Sequence, residues 1–220
     1  MKDYSGFLMQ VYDLLFDHFG SRGWWPGDSK LEIMLGAVLT QAVAWKNVEK
    51  AIYNLKKTGL LDYNRLVEAR VDELADLIKP ALYHRQKAKK IKALVDFIAE
   101  EYGGDLDLMF ADSLVQLRAK LLTVWGIGPE TADSILLYAG NYKIFVVDTY
   151  TRRIFSRLGL IREDIAYDEL QGFLHEYVVP DVKIYNEYHA LLVALGSSYC
   201  RKSVPVCGKC PVSVYCQYKL

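Results

Sequence analysis

The sequence predicts an all-α fold, and three observations carry this prediction. Apolar residues recur at three- and four-residue spacing through most of the chain, which is the period of an amphipathic helix. Glycine and proline residues, which end helices, separate these stretches. Strand-like patterns are scarce, and the one short candidate is KIFVV at residues 143–147.

Ten helices follow from the spacing and its interruptions. The residues that separate them in chain order are Gly20 with Gly27, Gly59, Pro80, Gly103 with Gly104, Gly140, Gly159 and Pro180. The predicted helices span residues 7–19, 30–42, 46–57, 63–79, 86–102, 112–124, 130–139, 149–158, 167–178 and 184–196.

Length and composition are those of an ordinary globular protein. The 220 residues are 52% hydrophobic, which suffices for one large domain or two smaller lobes. The 27 basic and 27 acidic side chains cancel, which argues against a partner bound by net charge alone but leaves room for local basic patches. No apolar run approaches the length of a membrane span, so no membrane association is expected.

The four cysteines of the chain lie in its last 21 residues with the spacing C-x6-C-x2-C-x5-C: Cys200, Cys207, Cys210 and Cys216. Four cysteine thiolates are the usual ligands of iron–sulfur clusters. Disulfides would need a secretory context, and the first 20 residues lack the pattern of a cleavable leader. Structural zinc usually takes two C-x2-4-C pairs, and one such pair occurs here. The spacing favours a [4Fe–4S] cluster, with a zinc site as the alternative.

The stretch 121–148 (LLTVWGIGPETADSILLYAGNYKIFVVD) combines a glycine-rich turn between helices with a downstream aspartate. Gly126 and Gly128 allow backbone conformations that are closed to other residues. Pro129 opens the next helix where its missing N–H costs little. The N–H groups of such a turn point outward together and bind an anionic oxygen, such as a DNA phosphate. A tight corner between two helices is the alternative interpretation.

Five motifs occur in the order of one known family: LGAVLTQAVAWKNVEKAI (35–52), ALYHRQKAKKI (81–91), GIGPETAD (126–133), VVDTYTRRIFSRLG (146–159) and HALLVALGSSYC with the cysteine loop (189–216). With them, nearly the whole chain resembles the helix-hairpin-helix DNA glycosylases of the endonuclease III superfamily. The resemblance implies two helical lobes. Residues 30–141 would form a six-helix barrel with the hairpin. Residues 1–29 and 142–220 would form a discontinuous cluster lobe with the iron–sulfur loop at 200–216.

The resemblance makes Asp148 the catalytic residue. A carboxylate at a helix N-terminus is favoured in its ionised form. It can stabilise positive charge on the deoxyribose and orient or deprotonate the attacking water. A simple N-cap is the alternative, and it is compatible with catalysis. Bifunctional members carry a lysine in the hairpin pattern G-x-G-x-K, where this chain has Glu130. A carboxylate cannot form the Schiff base, so AP lyase activity is not expected.

The stretch WWP followed by LGAVLTQ resembles the 3-methyladenine DNA glycosylase branch, in which aromatic residues near these positions line the base pocket. The implied pocket residues are Trp24, Trp25, Pro26 and Trp45. Alkylated purines carry positive charge, which electron-rich indole rings attract. Tryptophans that seal the hydrophobic core are the alternative. That branch is also known without the cluster, so cluster and substrate preference do not come as a set.

Further residues are expected to contact DNA. Gln41 matches the family glutamine that fills the space left by an extruded base, and Leu82 resembles the family's wedge between base steps. Arg85 and Lys87 begin a basic run after that wedge, and Lys202 lies in the cysteine loop, so phosphate contacts are expected. The hairpin candidates are Gly126, Gly128 and Thr131.

The function implied by these residues is that of a monofunctional DNA glycosylase of base excision repair, acting on alkylated purines such as 3-methyladenine. The alternatives are an endonuclease III-like glycosylase for deaminated, mismatched or oxidised pyrimidines, and a non-catalytic lesion binder, which the presence of Asp148 disfavours. The expected partner is double-stranded DNA with a damaged base. The protein is expected to be a monomer of the cytoplasm, associated with a prokaryote-like nucleoid.

Overall fold

The computed structural model describes residues 4–218, and its regular secondary structure is helical throughout, which confirms the predicted all-α class. Within these residues the α-helices are α1 (Tyr4–Phe19), α2 (Lys30–Leu39), α3 (Trp45–Thr58), α4 (Tyr63–Glu68), α5 (Val71–Leu77), α6 (His84–Tyr102), α7 (Leu106–Met109), α8 (Leu114–Leu121), α9 (Pro129–Ser134), α10 (Thr149–Arg157), α11 (Tyr167–Tyr177) and α12 (Val182–Ser198). A π-helical turn at Ile135–Ala139 continues α9, and 3-10 turns span Lys79–Ala81, Cys207–Lys209 and Ser213–Tyr215. No helix in this part of the chain is long and apolar enough to cross a membrane.

The chain divides into two compact units. One joins the chain up to Trp25 with the chain from Lys143 onward and contains α1 and α10–α12. The other spans Pro26–Tyr142 and contains α2–α9. The boundaries expected from the resemblance fell between residues 29 and 30 and between residues 141 and 142. The six-helix barrel stays a prediction.

Helix α2 is the central element of the Pro26–Tyr142 unit. Ser29 caps it by accepting a hydrogen bond from the backbone N–H of Glu32 at 3.2 Å. Eight of its ten residues are buried, and a helix that is apolar on all sides belongs in a core. Helices α3, α6 and α9 pack around it. The chain that leaves its C-terminus, including Gln41, therefore starts from a fixed position.

The predicted helix at residues 63–79 is two helices, α4 and α5. Asp62 caps α4 with a hydrogen bond from the N–H of Arg65 at 3.0 Å. Ala69 and Arg70 are extended (ψ 135° and 146°) and separate the two helices. The apolar spacing continues across this break without glycine or proline, so the sequence carries no signal for it.

The other unit is organised around α12, which packs against α1 and α10. Tyr188 of α12 is fully buried, and its hydroxyl donates a 2.7 Å hydrogen bond to the carbonyl oxygen of Leu8. Its ring meets Phe145 and Phe155 edge-on, with centroids 5.9 and 6.2 Å apart. These contacts combine apolar burial with the ring geometry that aromatic pairs prefer.

Residues 144–147 of the strand candidate are buried and pair with no strand in the described chain, while Lys143 is exposed. Side chains of α11 take the place of a partner strand. His175 Nε2 accepts from the N–H of Phe145 at 2.9 Å, and Gln171 Nε2 donates to the Phe145 carbonyl at 2.7 Å. Because the backbone polar groups of a buried segment need partners, these bonds fix the segment that leads into Asp148.

Candidate active site

Asp148 is the N-cap of α10, as the capping interpretation predicted. Its Oδ1 accepts two hydrogen bonds from Thr151, one from the backbone N–H at 2.7 Å and one from Oγ1 at 2.8 Å. Its Oδ2 lies 3.6 Å from Nε2 of His189, a residue of α12. The side chains of Asp148 and His189 are 10% and 9% exposed. One carboxylate oxygen is thus held by the helix start, and the other faces an imidazole.

The surroundings keep Asp148 ionised. Burial alone would raise the pKa of this carboxyl, because it disfavours the charged form. The nearby imidazole of His189, together with the two donors of Thr151, outweighs burial, and the pKa of Asp148 is lowered from its ordinary value. At neutral pH the group is therefore a carboxylate, which can stabilise a cation or accept a proton but cannot donate one.

His189 was missed by the sequence analysis. It begins the motif HALLVALGSSYC, and the residues that follow it are mostly apolar. A histidine at the start of a mostly apolar helical stretch is the sequence signal that could have pointed to it, and the structure shows that His189 is buried.

The hairpin lies between α8 and α9. Gly126 has a left-handed backbone (φ +83°), and a Cβ there would collide with the side chain of Lys90. Gly128 is extended with open space around it, and Pro129 is the first residue of α9, as predicted. Glu130, at the position of the family lysine, is exposed.

Gln41 is tied to this hairpin. Its Nε2 donates to the carbonyl oxygen of Gly126 at 3.1 Å and to Oγ1 of Thr131 at 2.9 Å. Its Oε1 accepts from Nζ of Lys90 at 2.5 Å. If Gln41 fills the space left by an extruded base, as the resemblance implies, its amide would give up these three hydrogen bonds for contacts with bases. Thr131 is 6% exposed and its side chain holds Gln41, and the DNA contact expected of Thr131 stays a prediction.

The predicted wedge is exposed, but one neighbouring prediction fails. Leu82 is 52% exposed with φ +51°, the following Tyr83 is 71% exposed with φ +43°, and Arg85 is exposed.

The prediction that Lys87 contacts phosphate is wrong. Its side chain is buried, and Nζ donates to the carbonyl oxygens of Leu39 (2.8 Å) and Ala81 (2.6 Å). Burial and the nearby charge of Lys90 lower the pKa of Lys87 to about 8.

The predicted base-pocket residues are divided between the two units. Trp24 and Trp25 are half-buried in the unit that contains α1, with ring centroids 4.9 Å apart. Pro26 is exposed, and Trp45 is the half-buried first residue of α3. Each tryptophan therefore leaves part of its ring exposed.

The four cysteines are free thiols that line one cavity of about 70 Å³, together with Arg157 and Tyr199. Burial raises the pKa of the Cys210 thiol, and the charges of the other three cysteines add to the rise, so the sulfurs are close enough to interact. No set of three or more histidine, cysteine or acidic side chains within residues 4–218 is arranged to hold a metal ion. The four thiols therefore line one shared space, and they are the type of donor that an iron–sulfur cluster would need.

Helix α10 braces this loop. Arg153 Nε donates to the Cys200 carbonyl at 2.8 Å. Arg157 Nη1 lies 3.3 Å from Cys200 Sγ, and its guanidinium donates to the carbonyls of Arg201 and Lys202 at 2.9 and 3.2 Å. The side chain of Lys202 is exposed, as a phosphate contact requires.

The fold and these features define a helix-hairpin-helix protein with a capped, ionised aspartate downstream of the hairpin. The family described as "HhH-GPD superfamily base excision DNA repair protein" matches residues 35–180, and the chain belongs to this family. It is a DNA glycosylase of base excision repair.

Individual relatives agree with this family. A Methanocaldococcus jannaschii protein, provisionally named a DNA repair glycosylase, is 43% identical over 213 residues and covers 96% of each chain. Endonuclease III of Sulfolobus acidocaldarius is 31% identical over 188 residues, which are 85% of this chain and 81% of that protein.

Two solved structures are also similar. One is the H. pylori 3-methyladenine DNA glycosylase bound to 1,N6-ethenoadenine, with a TM-score of 0.76, 28% identity, and coverage of 87% of this chain and 96% of that one. The other is a trapped endonuclease III–DNA covalent intermediate, with a TM-score of 0.81 and coverage of 96% and 95%. Because its identity is 21%, the second shows the shared fold alone.

Substitution of the hairpin glycines tests the geometry of the turn. Gly126→Ala should lower the free energy of unfolding by about 1–2 kcal/mol from the left-handed backbone alone, with a further loss as the new Cβ displaces Lys90. Gly128→Ala is the matched control and should lower it by less than Gly126→Ala, because its backbone is extended and its surroundings are open, so only the N-cap preference for glycine over alanine is lost. Denaturant unfolding followed by circular dichroism measures both, and equal stability of the two variants would contradict the assignment.

Proposed function

We propose that the protein is a monofunctional DNA glycosylase that removes alkylated purines, such as 3-methyladenine, from double-stranded DNA. The observation that carries the proposal is the environment of Asp148: one oxygen is held by Thr151, the other is not used by the helix cap, and the carboxyl is ionised. An exposed Glu130 stands where a lyase would carry its lysine.

In the proposed reaction, the bond between the base and C1′ of the deoxyribose breaks, and the base leaves with the bonding electrons. Positive charge develops on the sugar, and the Asp148 carboxylate stabilises it. Water then forms the new bond to C1′, and its proton passes to the carboxylate. A base that is already positively charged leaves as a neutral molecule, so this chemistry requires no proton donor to the base.

Water is the nucleophile in this proposal because the hairpin offers no amine. A lysine at position 130 would attack C1′ and form a Schiff base, which precedes strand cleavage. The carboxylate of Glu130 cannot form that linkage. Lys143, the nearest lysine downstream, is five residues before Asp148 and is a weaker candidate for the same role.

The substrate preference is proposed from the aromatic residues. Trp24, Trp25 and Trp45 are half-buried, so part of each indole ring can stack against a base. Indole faces attract cations, and a 3-alkylated adenine carries positive charge. The similar H. pylori structure is that of a 3-methyladenine DNA glycosylase with an adenine derivative bound, which supports this class of substrate.

The DNA contacts and the cofactor complete the proposal. Leu82 would wedge between base steps, Arg85 and Lys202 would contact phosphates, and the Gly126–Gly128 turn would offer backbone N–H groups to a phosphate. Cys200, Cys207, Cys210 and Cys216 would hold a [4Fe–4S] cluster. When bound, the cluster would supply four bonds that brace the loop carrying Lys202.

A second candidate function is excision of deaminated, mismatched or oxidised pyrimidines. The observation in its favour is the similarity to an endonuclease III over 85% of the chain. The absence of the lyase lysine does not separate the two substrates, so base release must decide between them.

Base release from defined duplexes tests the function. Duplexes with a 3-methyladenine analogue, uracil, a G·T mismatch or an oxidised pyrimidine should show release of the alkylated purine alone. Asp148→Asn keeps a helix-capping side chain, so it should fold and bind the lesion, yet lose at least about 100-fold in single-turnover rate. Preferred release of a pyrimidine would favour the second candidate, and full activity of Asp148→Asn would remove this residue from the mechanism.

Borohydride trapping tests the nucleophile. Wild-type protein should form no covalent adduct with substrate DNA, because Glu130 has no amine to be reduced onto the sugar. The matched variant is Glu130→Lys, which places an amine at this position. A trapped adduct of this variant would show that a side chain at position 130 reaches C1′. A strong wild-type adduct, seen on denaturing gels, would reveal a lyase nucleophile elsewhere in the chain.

Metal analysis tests the cofactor. Purified protein should contain about four iron and four acid-labile sulfide per chain and absorb broadly in the visible. Cys210→Ser should lower the iron content, while Ser213→Ala, which alters the same cavity without removing a thiol, should keep it. About one zinc per chain in colourless, active protein would establish the zinc alternative instead.

A further inference from the structure

We infer that His189 is a positioning residue for Asp148. Its Nε2–H faces Oδ2, which keeps the carboxylate ionised and holds this oxygen in the orientation needed for catalysis. This inference rests on the proposed catalytic role of Asp148. It assigns a residue to the reaction that the hairpin, aspartate and cysteine motifs leave out.

The geometry around the carboxylate leaves one oxygen for chemistry. Oδ1 accepts two hydrogen bonds from Thr151 at 2.7 and 2.8 Å, so it serves the helix cap. Oδ2 is therefore the oxygen that can face the sugar or the water. His189 Nε2 lies 3.6 Å from it, a distance that a small rotation of either side chain closes to a hydrogen bond.

The two helices that carry these side chains are locked together. Gly196 of α12 lets Tyr150 of α10 approach so closely that a Cβ would collide with the Tyr150 ring. Arg153 of α10 donates to the carbonyl oxygens of Gly196 (3.2 Å) and Cys200 (2.8 Å). Since the helices pack over this length, the spacing between Asp148 and His189 is set by the fold.

The charges around the pair single out His189. In the part of the chain that the structure describes, it is the one titratable side chain that acts on the pKa of Asp148. In the described chain the buried Nε of Arg152 on α10 has no hydrogen-bond partner, whereas three other ionisable groups of α10 and α12 are engaged elsewhere. Arg153 donates to backbone carbonyls, Tyr188 donates to the carbonyl of Leu8, and Glu187 accepts from Ser21.

Loss of His189 would remove influences that lower the pKa of this carboxyl, while burial, which raises it, remains, so its pKa would rise. A carboxyl with a raised pKa is protonated at a higher pH, so excision would fail earlier as the solution is acidified. A merely structural histidine would lower stability or overall rate without moving this acid limb.

The test compares two amides that differ by one methylene. The amide nitrogen of His189→Gln can occupy the place of Nε2, whereas that of His189→Asn is too short to reach Oδ2. Single-turnover excision of an alkylated purine is measured against pH, and thermal unfolding checks that both variants fold. We expect the acid limb of His189→Asn to move to higher pH by about one unit, which corresponds to about 1.4 kcal/mol, and that of His189→Gln to stay near wild type.

The outcomes separate this inference from the proposed function. An unshifted acid limb in His189→Asn, or equal profiles of Asn and Gln variants, overturns the positioning role even if Asp148→Asn is inactive. Full activity of Asp148→Asn overturns the proposed function itself. If His189→Asn does not fold, His189→Leu replaces it, and carbon NMR titration of the Asp148 carboxyl in the Leu and Gln variants gives the same decision: equal pKa values of this carboxyl in the two variants overturn the positioning role.

Discussion

A buried carboxylate can remain charged only where nearby donors offset the loss of water, and the arrangement around Asp148 depends on this constraint. Thr151 supplies two donors through the ordinary geometry of a helix cap, and His189 faces the remaining oxygen. The observed cap and the proposed catalytic role are therefore compatible at this residue. The cap fixes the carboxyl and consumes one oxygen, which leaves the other in a defined direction.

The same two helices connect this carboxylate to the cysteine loop. Helix α10 begins at the Asp148 cap and carries Arg153 and Arg157 farther along, and both donate to the loop that starts at Cys200. Helix α12 carries His189 and ends two residues before Cys200. A loop braced by a metal group would thus be attached to both helices that position the candidate catalytic pair. The bracing acts mainly through backbone carbonyls, with one further contact from Arg157 to the sulfur of Cys200.

Features that depend on neighbouring residues could be predicted from the sequence. The positions of side chains that depend on contacts distant in the sequence could not. The helices, the Gly126 turn and the Asp148 cap follow from spacing and local chemistry. Lys87 lies in a basic run, yet it is buried because two carbonyl oxygens, one of them 48 residues away, bind its ammonium group. Thr131 likewise turns inward to meet Gln41, 90 residues away. The break between α4 and α5 has no glycine or proline, and His189 becomes informative once α10 and α12 are packed together.

The departure at position 130 fits the chemistry of a charged leaving group. A neutral pyrimidine leaves as an anion unless it is protonated, whereas a purine with a cationic ring leaves as a neutral molecule. An ionised Asp148 cannot protonate a base, but it can stabilise the sugar cation and accept the proton of water. Without a lysine to form a covalent intermediate, the barrier must fall through the leaving group and the carboxylate alone. A positively charged base would make that possible, and it is also a ligand that the half-buried indole rings of the tryptophans would attract. The missing amine is compatible with either proposed substrate class, so within this proposal the tryptophans are what favour a cationic purine.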